Sequence, residues 1–456
     1  MTIDQTCLET EIQTAVDNLT TSCDAEVFLE TALAADNANV NRKFSIALGC
    51  QLPDLATANI PEGTTVFVEE LGVSVVSTGL AWAGLDGRTY RQDRYNKTLY
   101  AWGCNTAGQL GNDSTIYCVP SGIGTQEITS STNWSEVTSD EAASYGIKDD
   151  GTLWSWGNNF GGLLGVNDQL YKSSPVQEAS SSTNWLTVDN GITAVAIKTD
   201  GTLWGWGRNT YGSIGDGTVI CRSSPVQEIS SSTNWCKVSS GYTDFHAVKT
   251  DGTLWVSGRN TTGQLMTNNR TAYCSPVQEI TSSTNWCHTS TGSFKSGAFV
   301  KTDGTLWTAG LNCFGQLGDG TVICRSSPVQ EISSSTTWSL AATGDSMVNA
   351  LKSDGTMWSF GSRCRGRLAN GQDSFLGCCT PVQEWHSATN WCFVDSYFHG
   401  IGIKTDSTLW TWGCGNVGSL GINWNFSTCP YNHFVDSDYC TAAAGAFSSL
   451  AIRVST

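Results

Sequence analysis

The stretch DGTLWSWGNNFGG at residues 150–162 decides the fold, because it returns as DGTLWGWGRNTYG at 200–212 and again from 251, 303, 354 and 406. Counted from the Trp of T-L-W, the copies fall at Trp154, Trp204, Trp255, Trp307, Trp358 and Trp410, in steps of 50, 51, 52, 51 and 52 residues. A seventh begins at NKTLYAWGCNTAGQLG (96–111), where Tyr100 takes the Trp position. A period of this length marks an array of supersecondary units. Each cycle has four parts. A D-G tight-turn signal opens T-L-W-x-W, which alternates like a half-buried strand. A Gly-punctuated N-x-x-G-x-L-G loop follows. S-S-P-V-Q-E-I-S-S-S-T-N-W then supplies a short strand, a polar turn and a second Trp. A strand such as AVAIK (194–198) or FHAVK (245–249) leads into the next D-G pair.

Four short strands per cycle predict an all-β protein whose units stack radially as propeller blades. Seven units occupy residues 96–456. The array opens in mid-cycle at T-L-Y-A-W and ends at GAFSSLAIRV (445–454), which matches the part of a cycle that precedes D-G-T-L-W. The last strands are therefore expected to complete the first blade, hiding the edges an open array would expose. Trp154, Trp204, Trp255, Trp307, Trp358 and Trp410 are expected in the blade cores, with stacking on a sugar open to any that reach a rim.

Repeats of about 51 residues carrying WGCNTAGQLGND (102–113), WGRNTYGSIGDGT (206–218) and GLNCFGQLGDGT (310–321) resemble the RCC1 (regulator of chromosome condensation) repeat. The resemblance implies a seven-bladed propeller. It also implies functions that include nucleotide exchange on a small GTPase at chromatin and secreted inhibition of β-lactamases. The exchange-factor reading asks for a basic chromatin-facing surface and a distinctive blade insertion. This chain has 24 Lys+Arg against 41 Asp+Glu, a net charge of -17, and repeats of nearly uniform length. That balance disfavours nucleic acid as a partner. No apolar run is long enough for a bilayer span, and MTIDQTCLETEIQ lacks the cationic-then-apolar pattern of a secretion signal.

No catalytic or metal-ligand spacing links the five histidines, His246, His288, His386, His399 and His433. His246 is expected to be packed in its strand. The Gly-rich loops are not followed by helices, so repeat geometry explains them better than phosphate binding does. Asp150, Asp200, Asp251, Asp303 and Asp354 occupy the first position of the D-G turn, where Asp caps backbone amides. The expectation is a non-enzymatic protein with no cofactor.

Of 18 cysteines, most fall at three sites in the cycle, and they come and go together. Cys104 accompanies Cys118, Cys221 accompanies Cys236, Cys274 accompanies Cys287, Cys313 accompanies Cys324, Cys364 accompanies Cys378, and Cys379 accompanies Cys392. Cys414 and Cys429, with Cys440, leave the last blade odd; Cys7, Cys23 and Cys50 precede the array. Joint gain and loss predicts disulfides, each able to stabilise the fold by up to about 3 kcal/mol. Reduced buried thiols and zinc are the alternatives. Disulfides persist in oxidising surroundings, which a particle leaving the cytoplasm would reach.

Residues 1–95 do not repeat. Leu8, Ile12, Val16 and Leu19 have helical spacing, and Val27, Phe28 and Leu33 suggest a second helical stretch. A hairpin around the E-L-G turn and a connecting turn at Asp86-Gly87 follow, giving a small α+β module. IPEGTTVFVEELG (60–72) with GLDGRTYR (84–91) resembles segments of phage tail or fibre-type proteins. The reading is of an attachment or oligomerisation module, or else a propeller cap, before a propeller displayed for binding. The expected protein is a virion tail, fibre or capsid-decoration component, part of an oligomeric assembly. It is made in a host cytoplasm, exposed outside it, and partnered by virion proteins through residues 1–95 and by a host-surface protein or glycan through the propeller. A bacterial interaction scaffold or exported inhibitor is the alternative.

Overall fold

The computed structural model describes five strands between Lys43 and Gln92, and residues 96–455 apart from 117, 120–123, 141, 293–294, 423–424 and 433–437. Residues 1–96 and 97–455 form two compact units.

The second unit is a seven-bladed β-propeller. Blade 1 is an antiparallel sheet of Trp134–Ser139, Ala143–Lys148, Leu153–Gly157 and Lys172–Gln177, ordered in space as in sequence. Blades 2 to 6 repeat it, opening with inner strands Trp185–Asn190, Trp235–Ser240, Trp286–Thr291, Trp338–Thr343 and Trp391–Ser396. They close with outer strands Arg222–Gln227, Tyr273–Gln278, Arg325–Gln330, Gly377–Gln383 and Phe426–Tyr431. Blade 7 joins the two ends of the array. Tyr439–Ala444 and Ser448–Ser455 come from its end, and Asn96–Cys104, with Cys118–Val119 and Thr125–Gln126, from its start.

Each blade thus begins at the Trp of T-N-W, and T-L-W-x-W is its third strand. The second strand is sandwiched between neighbouring blades, which is why TAVAIK (193–198) is buried throughout and shows no polar alternation. Its partners lie across the blade boundary. Val195, Ile197 and Leu203 of blade 2 pack on Trp235, Phe245 and Ala247 of blade 3. The same packing closes the ring, with Leu99, Leu450 and Ile452 of blade 7 on Trp134 and Trp156 of blade 1.

The D-G turn is a three-residue hairpin connection with glycine in the left-handed position. Gly151, at φ +72°, donates to Lys148 O at 2.8 Å, and a Cβ there would lie 2.2 Å from Thr183 O of the next blade's entry. Asp150 Oδ1 accepts from the amide of Thr152 at 3.0 Å and from its hydroxyl at 2.6 Å. At Asp200, Asp303 and Asp354 the same threonine hydroxyl holds the carboxyl below its usual range. Gly151 O in turn accepts from Trp185 N at 3.0 Å, so the turn hands one blade over to the next.

In the first unit, Lys43–Ile46, Thr65–Val68, Val73–Ser77, Ala81–Gly84 and Thr89–Gln92 form one sheet in sequence order, parallel only in its first pair. The E-L-G segment links an antiparallel pair with Val68 opposite Val73, and Asp86-Gly87 lies between another. The helical stretches expected around Leu8–Leu19 and Val27–Leu33 lie outside the described residues.

Candidate functional site

The most regular side-chain assembly is a box of two tryptophans, a lysine and a buried glutamate. In blade 3, Lys249 Nζ sits 4.5 Å from the ring centroids of both Trp235 and Trp255 and donates to Ser232 Oγ at 3.0 Å. Glu228, 1 % exposed, accepts from the Ser230 amide at 2.6 Å, the Ser232 amide at 2.9 Å and Trp235 Nε1 at 3.3 Å. Lys148, Lys198, Lys301, Lys352 and Lys404 stand between the equivalent rings. Burial lowers the lysine pKa at 148, 198, 301 and 404. An ammonium pinned between two rings organises the turn rather than reacting. The P-V-Q-E glutamate and the lysine before D-G carry this network, and their recurrence in step with the two Trp was the signal in the sequence.

Trp154, Trp204, Trp255, Trp358 and Trp410 pack against the hydrophobic clusters of the blades, but from the margin rather than the centre. Trp154, Trp204, Trp255, Trp307, Trp358 and Trp410 are only half-buried, each indole N–H donating to the hydroxyl of the Thr two residues before it. The fully enclosed tryptophans are the T-N-W ones, such as Trp235 and Trp286, and the second Trp of W-x-W, such as Trp156 and Trp206. The reason is position along the third strand. The first Trp stands at its outer face beside the lysine, and the second points across the blade boundary.

The inner strands line an axial channel of about 290 Å³ whose wall includes Glu136, Asp189 and Asp395 among serine and threonine hydroxyls. These groups latch blade to blade. Asp189 Oδ2 accepts from Ser240 N at 2.9 Å, Ser239 Oγ from Thr291 N at 2.9 Å, Ser290 Oγ from Thr343 N at 2.8 Å and Asp395 Oδ2 from Ala444 N at 2.8 Å. Burial pushes the carboxyls of Glu136 and Asp395 up to about 7, and raises that of Asp189. A folded-state carboxyl pKa above the unfolded value means that the native state binds more protons, so this contribution to stability is present at low pH and lost as pH rises towards 7 and beyond. Glu136 Oε1 alone accepts from Thr187 Oγ1 at 2.8 Å and Val188 N at 3.2 Å, so Glu136→Gln keeps both bonds without the charge. Melting curves from pH 5 to 8 are expected to show the variant gaining on the parent as pH rises. A constant difference would assign the pH dependence elsewhere.

His246 is enclosed against Phe299 at 5.1 Å, and burial pushes its pKa down to about 3. His399 is likewise enclosed and pushed down to about 3, its Nε2 2.6 Å from Ser449 Oγ. His288 contacts Ala341 O at 2.8 Å, His386 is exposed beside Glu384, and His433 lies outside the described residues. Among the described residues no group of three His, Cys, Asp or Glu is placed to hold a metal ion.

None of the six expected pairs is formed among the described residues, and Cys414 and Cys429 of the odd blade are both free. Cys221, Cys274 and Cys379 are free thiols at the outer strands of blades 2, 3 and 5. Their supposed partners Cys236, Cys287 and Cys392 stand on the inner strands of the next blades. Outer and inner strands are three strand spacings apart, about 14 Å, whereas a disulfide needs Cα atoms within about 7 Å. Cys313 and Cys324 are both free, the loop between them being closed instead by Asn312 Nδ2 on Thr321 O and Ile323 O, each at 3.1 Å. Cys378 Sγ accepts from Arg363 at 3.2 Å rather than bonding Cys364, which is free. Cys414 lies opposite Phe426, out of register with Cys429, and its Sγ accepts from Arg365 at 3.2 Å. Cys104 faces Cys118 across the ladder, but it is free, with its Sγ 3.5 Å from Thr106 Oγ1. Maleimide is expected to label the exposed Cys221 and Cys313 in the native, unreduced protein, and the buried Cys104, Cys378 and Cys414 only after unfolding. A linked Cys313–Cys324 peptide would contradict this assignment.

Exposed apolar side chains gather on the loops that lead into the outer strands. Val219 and Ile220 of blade 2, Val322 and Ile323 of blade 4, and Phe375 and Leu376 of blade 5 are examples. Blade 5 carries this furthest, with Phe375 89 % and Leu376 74 % exposed before its outer strand, and Trp385 63 % exposed just after it.

Closed radial sheets around an axial channel define a seven-bladed propeller with apolar side chains exposed on its loops. The model of the regulator of chromosome condensation (RCC1) repeat matches residues 98–139, 200–244 and 303–351, so the propeller carries RCC1 repeats. Among solved structures, Prp20p from Saccharomyces cerevisiae, described with its binding to Gsp1p and histones, superposes with a TM-score of 0.70 at 15% identity. The match covers 79% of this chain and 92% of that one. Human WBSCR16 gives a TM-score of 0.68 at 17% identity, covering 78% and 98%. These likenesses establish the fold. No curated protein sequence matches the chain.

Proposed function

We propose that this chain is a non-enzymatic interaction protein whose propeller holds a partner protein against its rim. The observation that carries this is the blade 5 patch of Phe375, Leu376 and Trp385, since large aromatic and aliphatic side chains this exposed supply the anchors of protein interfaces. The rest of the ring supports it. The carboxyls of the channel wall latch blades together, the described lysines of the Trp boxes are pinned, and His246 and His399 are packed. Solved RCC1 propellers that bind proteins, such as yeast RCC1 (Prp20) with Kap60, supply the precedent.

The test is quantitative cross-linking of the parent and of a Phe375→Ser/Leu376→Ser/Trp385→Ser variant in the source cells. The reading expects one partner to be lost from the variant while its melting temperature stays that of the parent. Identical partner sets would overturn the assignment of this patch.

We extend the reading to a virion component held in its particle by residues 1–95, on the resemblance of residues 60–72 and 84–91 to phage tail and fibre segments. Mass spectrometry of purified particles should then find the chain in many copies. Its absence would overturn this extension and leave the interaction reading standing.

A further inference from the structure

Blades 2 and 3 depart from the other blades at one point. The residue after the glycine that ends the third strand is Arg208 in blade 2 and Arg259 in blade 3, where blades 1, 4, 5, 6 and 7 have Asn158, Leu311, Ser362, Cys414 and Cys104. The two arginines border a pocket of about 140 Å³ together with Thr210, Tyr211, Ser213, Tyr242, Thr243 and Ile192. It sits where the loop after each third strand meets the turn between the first two.

Aromatic rings hold both guanidinium groups. Arg208 lies 5.3 Å from the centroid of Phe160, and Arg259 lies 4.8 Å from that of Tyr211. Stacking of this kind fixes the plane of the cation and leaves its edge donors for other use. Neither arginine forms an ion pair among the described residues, whereas Arg222, Arg325 and Arg367 are each bonded to an aspartate. Arg259 Nε and Thr243 Oγ1 are buried donors with no acceptor. Such groups are costly to leave unmet, and a polar ligand satisfies them. Asp244, behind the pocket wall, does not approach either guanidinium within ion-pair distance, and burial keeps its carboxyl partly protonated near neutral pH.

We propose that this pocket binds an oxyanion, a phosphate or carboxylate group, clamped between Arg208 and Arg259 and hydrogen-bonded by Thr243. The arginine forks match the geometry of such groups, and the volume takes one of them but not an extended chain. The anion comes either as a free small molecule or on an acidic or phosphorylated side chain of a bound polypeptide. The site is separate from the blade 5 patch, so its failure leaves the interaction reading untouched.

Calorimetric titration of the full chain at constant ionic strength tests it with three probes: inorganic phosphate, succinate, and a short peptide bearing one phosphoserine. Saturable binding of at least one probe, absent with chloride, is expected. Arg208→Gln and Arg259→Gln should each weaken it by about tenfold or more, and Arg325→Gln, whose side chain is bonded to Asp319, should not. Arg259→Lys should recover only part of the loss, because the charge returns without the fork. A peptide held at least tenfold tighter than inorganic phosphate assigns the anion to a polypeptide; equal or weaker binding assigns it to a small molecule. Melting temperatures of all variants equal to the parent's exclude a folding defect. No saturable binding of any probe, or unchanged affinity in the two Gln variants, overturns the proposal.

Discussion

Glu228→Ala is expected to destabilise the propeller by about 3 kcal/mol or more. Its carboxylate receives two backbone amides, the Ser230 hydroxyl at 2.7 Å and the Trp235 indole N–H, all within the bend that carries blade 2 into blade 3. Truncation to Ala leaves these donors without an acceptor. Glu228→Gln retains one carbonyl oxygen and should lose less. Chemical denaturation of the three proteins checks the ranking, and a loss under about 1 kcal/mol for Glu228→Ala would show that water replaces the carboxylate at that bend.

Removing residues 448–456 is expected to abolish cooperative folding of the whole ring. Ser448–Ser455 lies between Tyr439–Ala444 and Asn96–Cys104, so its loss strips the ladder partner from two strands at once. Leu450, Ala451 and Ile452 are fully buried, Leu450 and Ile452 in the interface with blade 1 and Ala451 in that with blade 6. An opened ring exposes those faces together with unpaired strand edges, the surfaces that drive aggregation. Near-UV circular dichroism and size-exclusion chromatography should show loss of fixed tertiary structure or association. Adding a synthetic peptide of residues 445–456 should restore part of the native signal. A truncated protein that melts like the parent would mean that six blades suffice.

Much of this ring is legible from spacing. The 50- to 52-residue step of T-L-W, the D-G pair and the mid-cycle start at T-L-Y-A-W together specify blade number, turn and closure, because strands and turns are local and the phase of the two ends of the array dictates how they meet. The Trp–Lys–Glu box was also present there as a recurrence. What hid it is chemistry that looks ordinary in one dimension: a Q-E pair in a polar turn and a Lys at a strand end read as solvated residues until both are seen around the same indoles.

The cysteines show where linear order misleads. Cys221 and Cys236 are neighbours in the cycle, yet the boundary between blades falls between them and sends one to the rim and the other to the axis. Arg208 and Arg259 show the converse, since 51 residues separate them and the stacking of blades 2 and 3 brings them to one pocket. By itself the sequence determined a closed ring of seven four-stranded blades, since periodic turns and strands are local properties and their phase dictates closure. Only the tertiary structure decided which thiols stay apart, which tryptophans are enclosed and which cations converge, because those outcomes depend on distances across blade boundaries that strand spacing sets and residue numbering does not.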